Sequence, residues 1–191
     1  MNMAVYIKTE LNDIAAFAFD ALGALGADDA EIGASRGGMD EFNIEAGKFT
    51  LLRTSFSSSF TARVLVGGRK GVAAVNSLDR EAVRKALEQA ADSANSSAPD
   101  DAEYIAEGIG EHSFKLGAGP RDLDGIYGRL SEFLKGCGER FPKIEPYQII
   151  SSYNSGTAMY ANTNGRARSP NPHHTGTGSR YARATASGYR R

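Results

Sequence analysis

The sequence predicts an α+β fold: an antiparallel sheet with its helices packed mainly on one face, followed by a partial second unit and a disordered C-terminal tail. Three observations carry this. Phe60–Asp79 reads as strand, glycine turn, strand and helix cap in unbroken succession. Leu11, Ile14, Ala18, Ala21, Leu22 and Leu25 recur at the three- and four-residue spacing of one helix face. Residues 166–191 contain no Leu, Ile, Val, Phe or Met, so burial cannot offset the entropy of ordering them.

Taken in order, the first helix starts near Leu11 and stops at Gly26, with Phe17 and Phe19 widening its apolar face. Ala30–Arg36 reads as a strand, Gly37-Gly38 as a turn, and Glu41-Phe42-Asn43-Ile44-Glu45 as a half-buried strand by its strict alternation. Ala46-Gly47-Lys48 is a second turn. Phe49–Phe60 is polar and extended, with Leu52, Phe56 and Phe60 as its apolar points. In the next strand Ala62, Val64 and Val66 share the apolar face, opposite Thr61, Arg63 and Leu65. Gly67-Gly68-Arg69-Lys70-Gly71 is read as a turn whose glycines accept positive φ, and Val72–Val75 as the returning strand. Asp79 is placed to cap a helix whose buried stripe is Val83, Ala86, Leu87, Ala90, Ala91 and Ala94.

Ser96-Ser97-Ala98-Pro99 is the linker of the chain, which divides it into a first domain over 1–98, an incomplete continuation over 99–165 and the tail over 166–191. In the middle segment a helix is expected within Pro120–Cys137. Tyr147–Tyr153 and Thr157–Ala161 are expected as a hairpin turning at Asn154-Ser155-Gly156. A further strand should follow Asn162-Thr163-Asn164-Gly165, and none does.

Several of these residues in sequence resemble the TldD/PmbA family. The resemblance lies in Arg63-Val-Leu-Val-Gly-Gly-Arg-Lys-Gly71, then Asn76-Ser-Leu-Asp79 and an Ala-rich helix, with Gly26-Ala-Asp-Asp-Ala-Glu-Ile32 upstream. It covers roughly Leu11 to Ser96, thins towards Gly165 and then ends. The family is labelled modulator of DNA gyrase and includes zinc metallopeptidases. The resemblance therefore implies the N-terminal part of a protein from a peptide-processing system, with a peptide substrate and either a paralogous subunit or a second copy as partner. The family's zinc-bearing branch carries a His-Glu-x-x-x-His helix, and nothing here matches it.

Charge is distributed unevenly. Of the 22 cationic residues, six are arginines within 166–191 (Arg166, Arg168, Arg180, Arg183, Arg190, Arg191), a stretch with no acid; the other 16 stand against 23 acids. An acidic body argues against nucleic acid as the main partner, and a module binding nucleic acid through its Arg-rich tail, with Tyr181 and Tyr189 to stack, is the alternative. Lysines and arginines are mixed before Gly165 and only arginine follows it, a switch that reads as a slipped reading frame. Cys137 has no partner for an internal disulfide, and Glu10, Asp13 and Asp20 interrupt any apolar N-terminal run. The expectation is a cytoplasmic protein with no membrane span.

The residues give no catalytic, cofactor or metal site. His112 stands alone, and His173-His174, being adjacent, cannot face one metal from a single helix or strand. Cys137 has no histidine nearby in sequence to activate it. Gly67–Gly71 leads into a strand, whereas a phosphate loop leads into a helix. Ser55, Ser57, Ser58 and Ser59 are expected to line a polar strand face, as are the carboxylates of Glu31, Glu41 and Glu45. Whether the chain is itself an enzyme is left open at this point.

Overall fold

The computed structural model describes residues 3–107, 116–117, 120–144, 146–164 and 174–175. In order these form α1 (Met3–Ala24), β1 (Asp29–Glu45), β2 (Lys48–Val66), β3 (Arg69–Val75), α2 (Arg80–Ser96), β4 (Leu116–Gly117), α3 (Leu123–Arg140), β5 (Gln148–Asn162) and β6 (His174–Thr175). Four strands make one sheet in the order β3-β2-β1-β5, and β4 pairs with β6. The sheet is antiparallel. Phe60 lies opposite Val75 and Val66 opposite Arg69, while Ala46 N donates to Tyr147 O and Thr163 N to Ala30 O, so that β1 and β5 also run in opposite directions. The α+β class expected from the sequence is the class observed. Apart from β6, the expected tail over 166–191 lies outside the described residues.

The chain divides into two compact units. The first holds α1, α2 and β3 with β1 up to Gly37, β2 from Ser57 and β5 from Gly156. Its core joins Leu11, Ile14, Ala18 and Leu22 of α1 to Ala30, Ile32, Ala34, Phe60, Ala62 and Val64 of the sheet, and to Val83, Ala86, Leu87 and Ala90 of α2. The buried residues of α2 are the six that its periodicity picks out. Each fully buried Leu or Val here contributes about 1.5–3 kcal/mol. Asp79 caps α2 through Oδ1, which accepts from Glu81 N at 3.0 Å and Ala82 N at 3.2 Å. α1 ends in a Schellman motif: Gly26 at φ 74° lets Ala27 N reach Leu22 O and Gly26 N reach Gly23 O. Arg80 lies over the Phe17 ring, 5.4 Å from its centroid.

The second unit holds β1 from Gly38, β2 up to Phe56, α3 and β5 up to Ser155. Phe42, Ile44, Ile149 and Tyr153 are buried in it. The Phe49 ring stacks on Tyr127 at 4.5 Å and meets Phe42 edge-on at 6.4 Å. No residue of α3 is buried, in keeping with its several glycines.

Four expectations are corrected. α1 begins at Met3 and not near Leu11, since residues 3–10 contain neither Pro nor Gly to halt a helix. Gly37-Gly38 and Asn154-Ser155-Gly156 are not turns; β1 and β5 run straight through them. Gly156 serves close approach, since a Cβ there would sit 3.0 Å from Arg36 O and 3.2 Å from Gly37 Cα, whereas one on Gly38 would meet the Phe56 ring in ordinary contact at 3.4 Å. Phe49–Phe60 and the strand after it are a single element, β2. Finally, the turn before β3 consists of Gly67 and Gly68 alone, at φ 56° and 70°; Gly71 lies inside β3.

Candidate functional site

The sheet presents its even-numbered positions on β2 to the core of the first unit, so the odd positions face away from α1 and α2. On that opposite face Arg63 is held by three acceptors. Nη1 donates to Glu31 at 3.2 Å, and Nη2 donates to Glu103 at 2.6 Å and to the Tyr104 carbonyl at 3.2 Å. Lys70 donates to the other oxygen of Glu103, and the Tyr160 hydroxyl donates to Glu31. Glu103 belongs to the segment after Pro99, which is strapped across the face at both ends. Asp100 N donates to Gly68 O at 2.8 Å, while Asn162 and Asn164 donate to Ala106 O and Ile105 O. Ile105 is the apolar anchor of this strap and is buried.

The electrostatics suit a fastening. Lys70 and then Arg63 hold the Glu103 carboxyl below the usual carboxylate range. The Arg63 guanidinium is raised by the same partner, Glu103. Burial, followed by the hydrogen bond to Glu31, pushes Tyr160 up to about 12, so its phenol stays protonated and serves as a donor, not a base.

A second cluster lies in the second unit. Asp40 is buried, in the inward register of Phe42 and Ile44, and Arg121 grips it through both oxygens at 2.7 and 2.8 Å. The Thr54 hydroxyl adds a bond of 2.6 Å. The Arg121 hydrogen bond lowers the Asp40 pKa against the opposing effect of burial, and burial raises that of Tyr153. Glu41 beside it is also buried, which corrects the expectation of an exposed strand face, and Arg53 accompanies it at 3.0 Å.

The other residues singled out from the sequence do not converge. Glu45 is exposed, Ser59 shares a 2.8 Å hydroxyl–hydroxyl contact with Ser35, and Ser55 and Ser57 face solvent. Gly67 N donates to the Asp28 carboxylate, which fixes that turn to the start of β1. Cys137 is half-buried on α3. His112, His173 and the tail arginines lie outside the described residues. Among the described residues no three of His, Cys, Asp and Glu are grouped to hold a metal, and no helix is long and apolar enough to cross a membrane. Arg63, Glu103, Tyr160, Asp40 and Arg121 were missed at the sequence level. An acid such as Asp40 among inward-facing apolar positions is the signal that a partner cation must exist.

Residues 30–94, from the first core position of β1 through the last of α2, match the family model described as PmbA/TldA metallopeptidase domain 1. Over that stretch the chain is similar to a TldD/PmbA-family first domain. Solved structures agree in fold over a longer stretch. TldE from Thermococcus kodakarensis superposes with a TM-score of 0.65 at 19% identity, over 83% of this chain and 36% of its own. A protein from Thermotoga maritima carried under the name modulator of a DNA gyrase gives 0.64 at 14%, over 82% of this chain and 36% of its own. One of similar name from Bacteroides thetaiotaomicron gives 0.56 at 22%, over 82% and 37%. The chain thus spans little more than a third of the length of these structures. No curated protein matches it.

Proposed function

We propose that this TldD/PmbA-type chain is the non-catalytic N-terminal part of a peptide-processing metallopeptidase system, and that it supplies scaffold and contact surface without zinc ligands of its own. The match of residues 30–94 to a metallopeptidase first domain carries this reading. Two features support it. Within each of the Arg63 and Asp40 clusters the acids are held by cations, which suits fastening of the fold. The buried residues also join both helices to the sheet in one continuous core, which gives the first unit a rigid packing. In this reading the system works in the cytoplasm, its substrate is a peptide, and the chain meets a paralogous subunit or a second copy of itself.

The test is a domain exchange. This chain replaces the corresponding first domain of a zinc-bearing TldD-type peptidase, and peptide cleavage is measured. Retained cleavage is expected, and a folded, zinc-loaded but inactive chimera would overturn the scaffold role. The isolated chain should cleave no peptide with or without Zn²⁺. Stoichiometric zinc surviving dialysis, with chelator-sensitive cleavage, would refute the absence of a site.

A further inference from the structure

α3 is held differently from α1 and α2. None of its residues is buried, whereas α2 buries six and α1 buries Leu11, Ile14, Ala18 and Leu22. Tyr127, Phe133 and, at its C-cap, Phe141 are each just over half exposed. Helices in proteins owe most of their stability to a packed apolar face, and α3 has no buried one to draw on. Its propensity is poor as well, since 4 of its 18 residues are glycine. Gly125 has a local reason: its N–H donates to the Asp122 cap at 2.8 Å, and a Cβ there would strike that same carboxylate. Gly128, Gly136 and Gly138 have no such reason. None of the three has a positive φ, and a Cβ on any of them would meet nothing within 4 Å. Alanine would fit at each, and each glycine weakens the helix about four- to fivefold relative to it.

Two contacts tie the start of this helix to the sheet. The Tyr127 ring stacks on Phe49 of β2 at 4.5 Å, and Arg121, one residue ahead of the cap, grips the buried Asp40 of β1 through both oxygens. Both lie within or before the first two turns, so α3 is pinned at its N-terminal end. We infer that α3 is a latched arm: it unfolds from the sheet as one unit while the rest of the fold stays closed, and the Arg121–Asp40 pair sets how often it does so. Opening releases the Asp40 carboxylate and the Phe49 ring together, so a single movement presents an anion and an aromatic surface that the closed state keeps engaged. Three independent observations converge on this device. The helix has no buried face, it carries glycine where the packing leaves room for alanine, and a charge-assisted pair stands at its fastened end. The inference rests on how α3 is held and is independent of any role in peptide cleavage.

Native-state hydrogen exchange of the full chain, followed by mass spectrometry at neutral pH in rising sub-denaturing urea, tests it. Amides of residues 126–140 should exchange together, far faster than those of residues 83–94 in α2, and with little dependence on urea, because a local opening exposes little surface. The α2 amides should show the steep urea dependence of global unfolding. Arg121→Ala should speed α3 exchange roughly tenfold or more, since a hydrogen-bonded charge is lost from the fastened end. The triple variant Gly128→Ala, Gly136→Ala, Gly138→Ala should slow it on the order of a hundredfold, and it keeps the test decisive should Arg121→Ala fail to fold. Protection of α3 equal to that of α2, with the same urea dependence, overturns the proposal, and so does an α3 with no protection at all. Exchange of α3 unchanged in Arg121→Ala overturns the latch. Exchange unchanged in the glycine-to-alanine triple overturns the unfolding of the arm.

Discussion

Gly71→Ala is the sharpest perturbation that the fold offers. β3 lies directly beneath α2, and a Cβ at position 71 would sit 1.8 Å from the Ala90 carbonyl oxygen, 2.5 Å from Ala94 N and 2.9 Å from Ala90 C. All three are backbone atoms of a helix, so no rotamer change can relieve the clash. Ordinary contact lies near ~3.5 Å, so α2 must retreat by more than about 1.5 Å along this line. That retreat opens the contacts of Ala90, Leu87 and Ala94, which are fully buried. Overpacking of a well-filled core costs about 1–3 kcal/mol and occasionally more. A backbone obstruction beneath a main core helix belongs at the upper end, about 3 kcal/mol. For a chain of this size that corresponds to a fall in thermal midpoint of roughly 6–12 °C. The assay is thermal and urea unfolding followed by circular dichroism, with Gly128→Ala as control. Gly128 is exposed on α3 with nothing within 4 Å of its Cβ position, and alanine there should stabilise by about 0.5–1 kcal/mol. A Gly71→Ala protein melting with the parent would show that α2 does not rest on β3 at this point, and the packing argument would fail.

Asp79→Ala removes the cap of α2 and should cost about 1 kcal/mol by urea unfolding, most of it regained in Asp79→Ser; equal loss in both would refute the capping role. Arg121→Ala leaves the Asp40 carboxylate buried with Thr54 alone, and a loss of stability is expected at neutral pH by urea unfolding. Because Arg121 lowers the folded-state pKa of Asp40 below its ordinary value of 3.8, the stabilisation is present above that value and is lost as pH falls through the lowered one. The parent and Arg121→Ala stabilities should therefore converge in strong acid, and a constant difference across pH would count against the pair. Glu103→Gln should speed hydrogen exchange at the amides of residues 102 and 103 at neutral pH while the global unfolding midpoint holds. Since Lys70 and Arg63 lower the Glu103 pKa from 4.5, the parent should approach the variant's exchange only as pH drops below that value.

What was legible in the sequence was whatever is written in local periodicity and punctuation. The α2 stripe, the Asp79 cap, the Gly26 stop and the Gly67-Gly68 turn each depend on residues within a few positions of one another. The misread turns share one cause: glycine has two meanings, and a linear sequence shows only one. At Gly67 and Gly68 it supplies positive φ. At Gly71 and Gly156 it makes room for the α2 backbone and the Arg36–Gly37 backbone respectively. Position 71 is separated from Ala90 by a hairpin return and half a helix, so nothing near it in sequence announces the contact. Reading such glycines as turns divided β1 and β5 each into two.

The polar clusters were hidden for a related reason, and parity is what exposes them. Glu31 on β1, Arg63 on β2 and Tyr160 on β5 belong to three strands that are far apart in sequence, and they meet only because the β2-β1-β5 order brings their non-core faces together. A single strand shows an alternating charged position, which an exposed face explains equally well. The distinction appears once the sheet order is known: Arg63 then has an acid on the neighbouring strand, and the strap after Pro99 has a cation to seize with Glu103. Asp40 was more accessible to reasoning. It holds the inward register of Phe42 and Ile44, and a carboxylate there is tolerable only with a cation delivered from elsewhere. That cation is Arg121, just ahead of α3, so the demand could be read at position 40 although its answer could not.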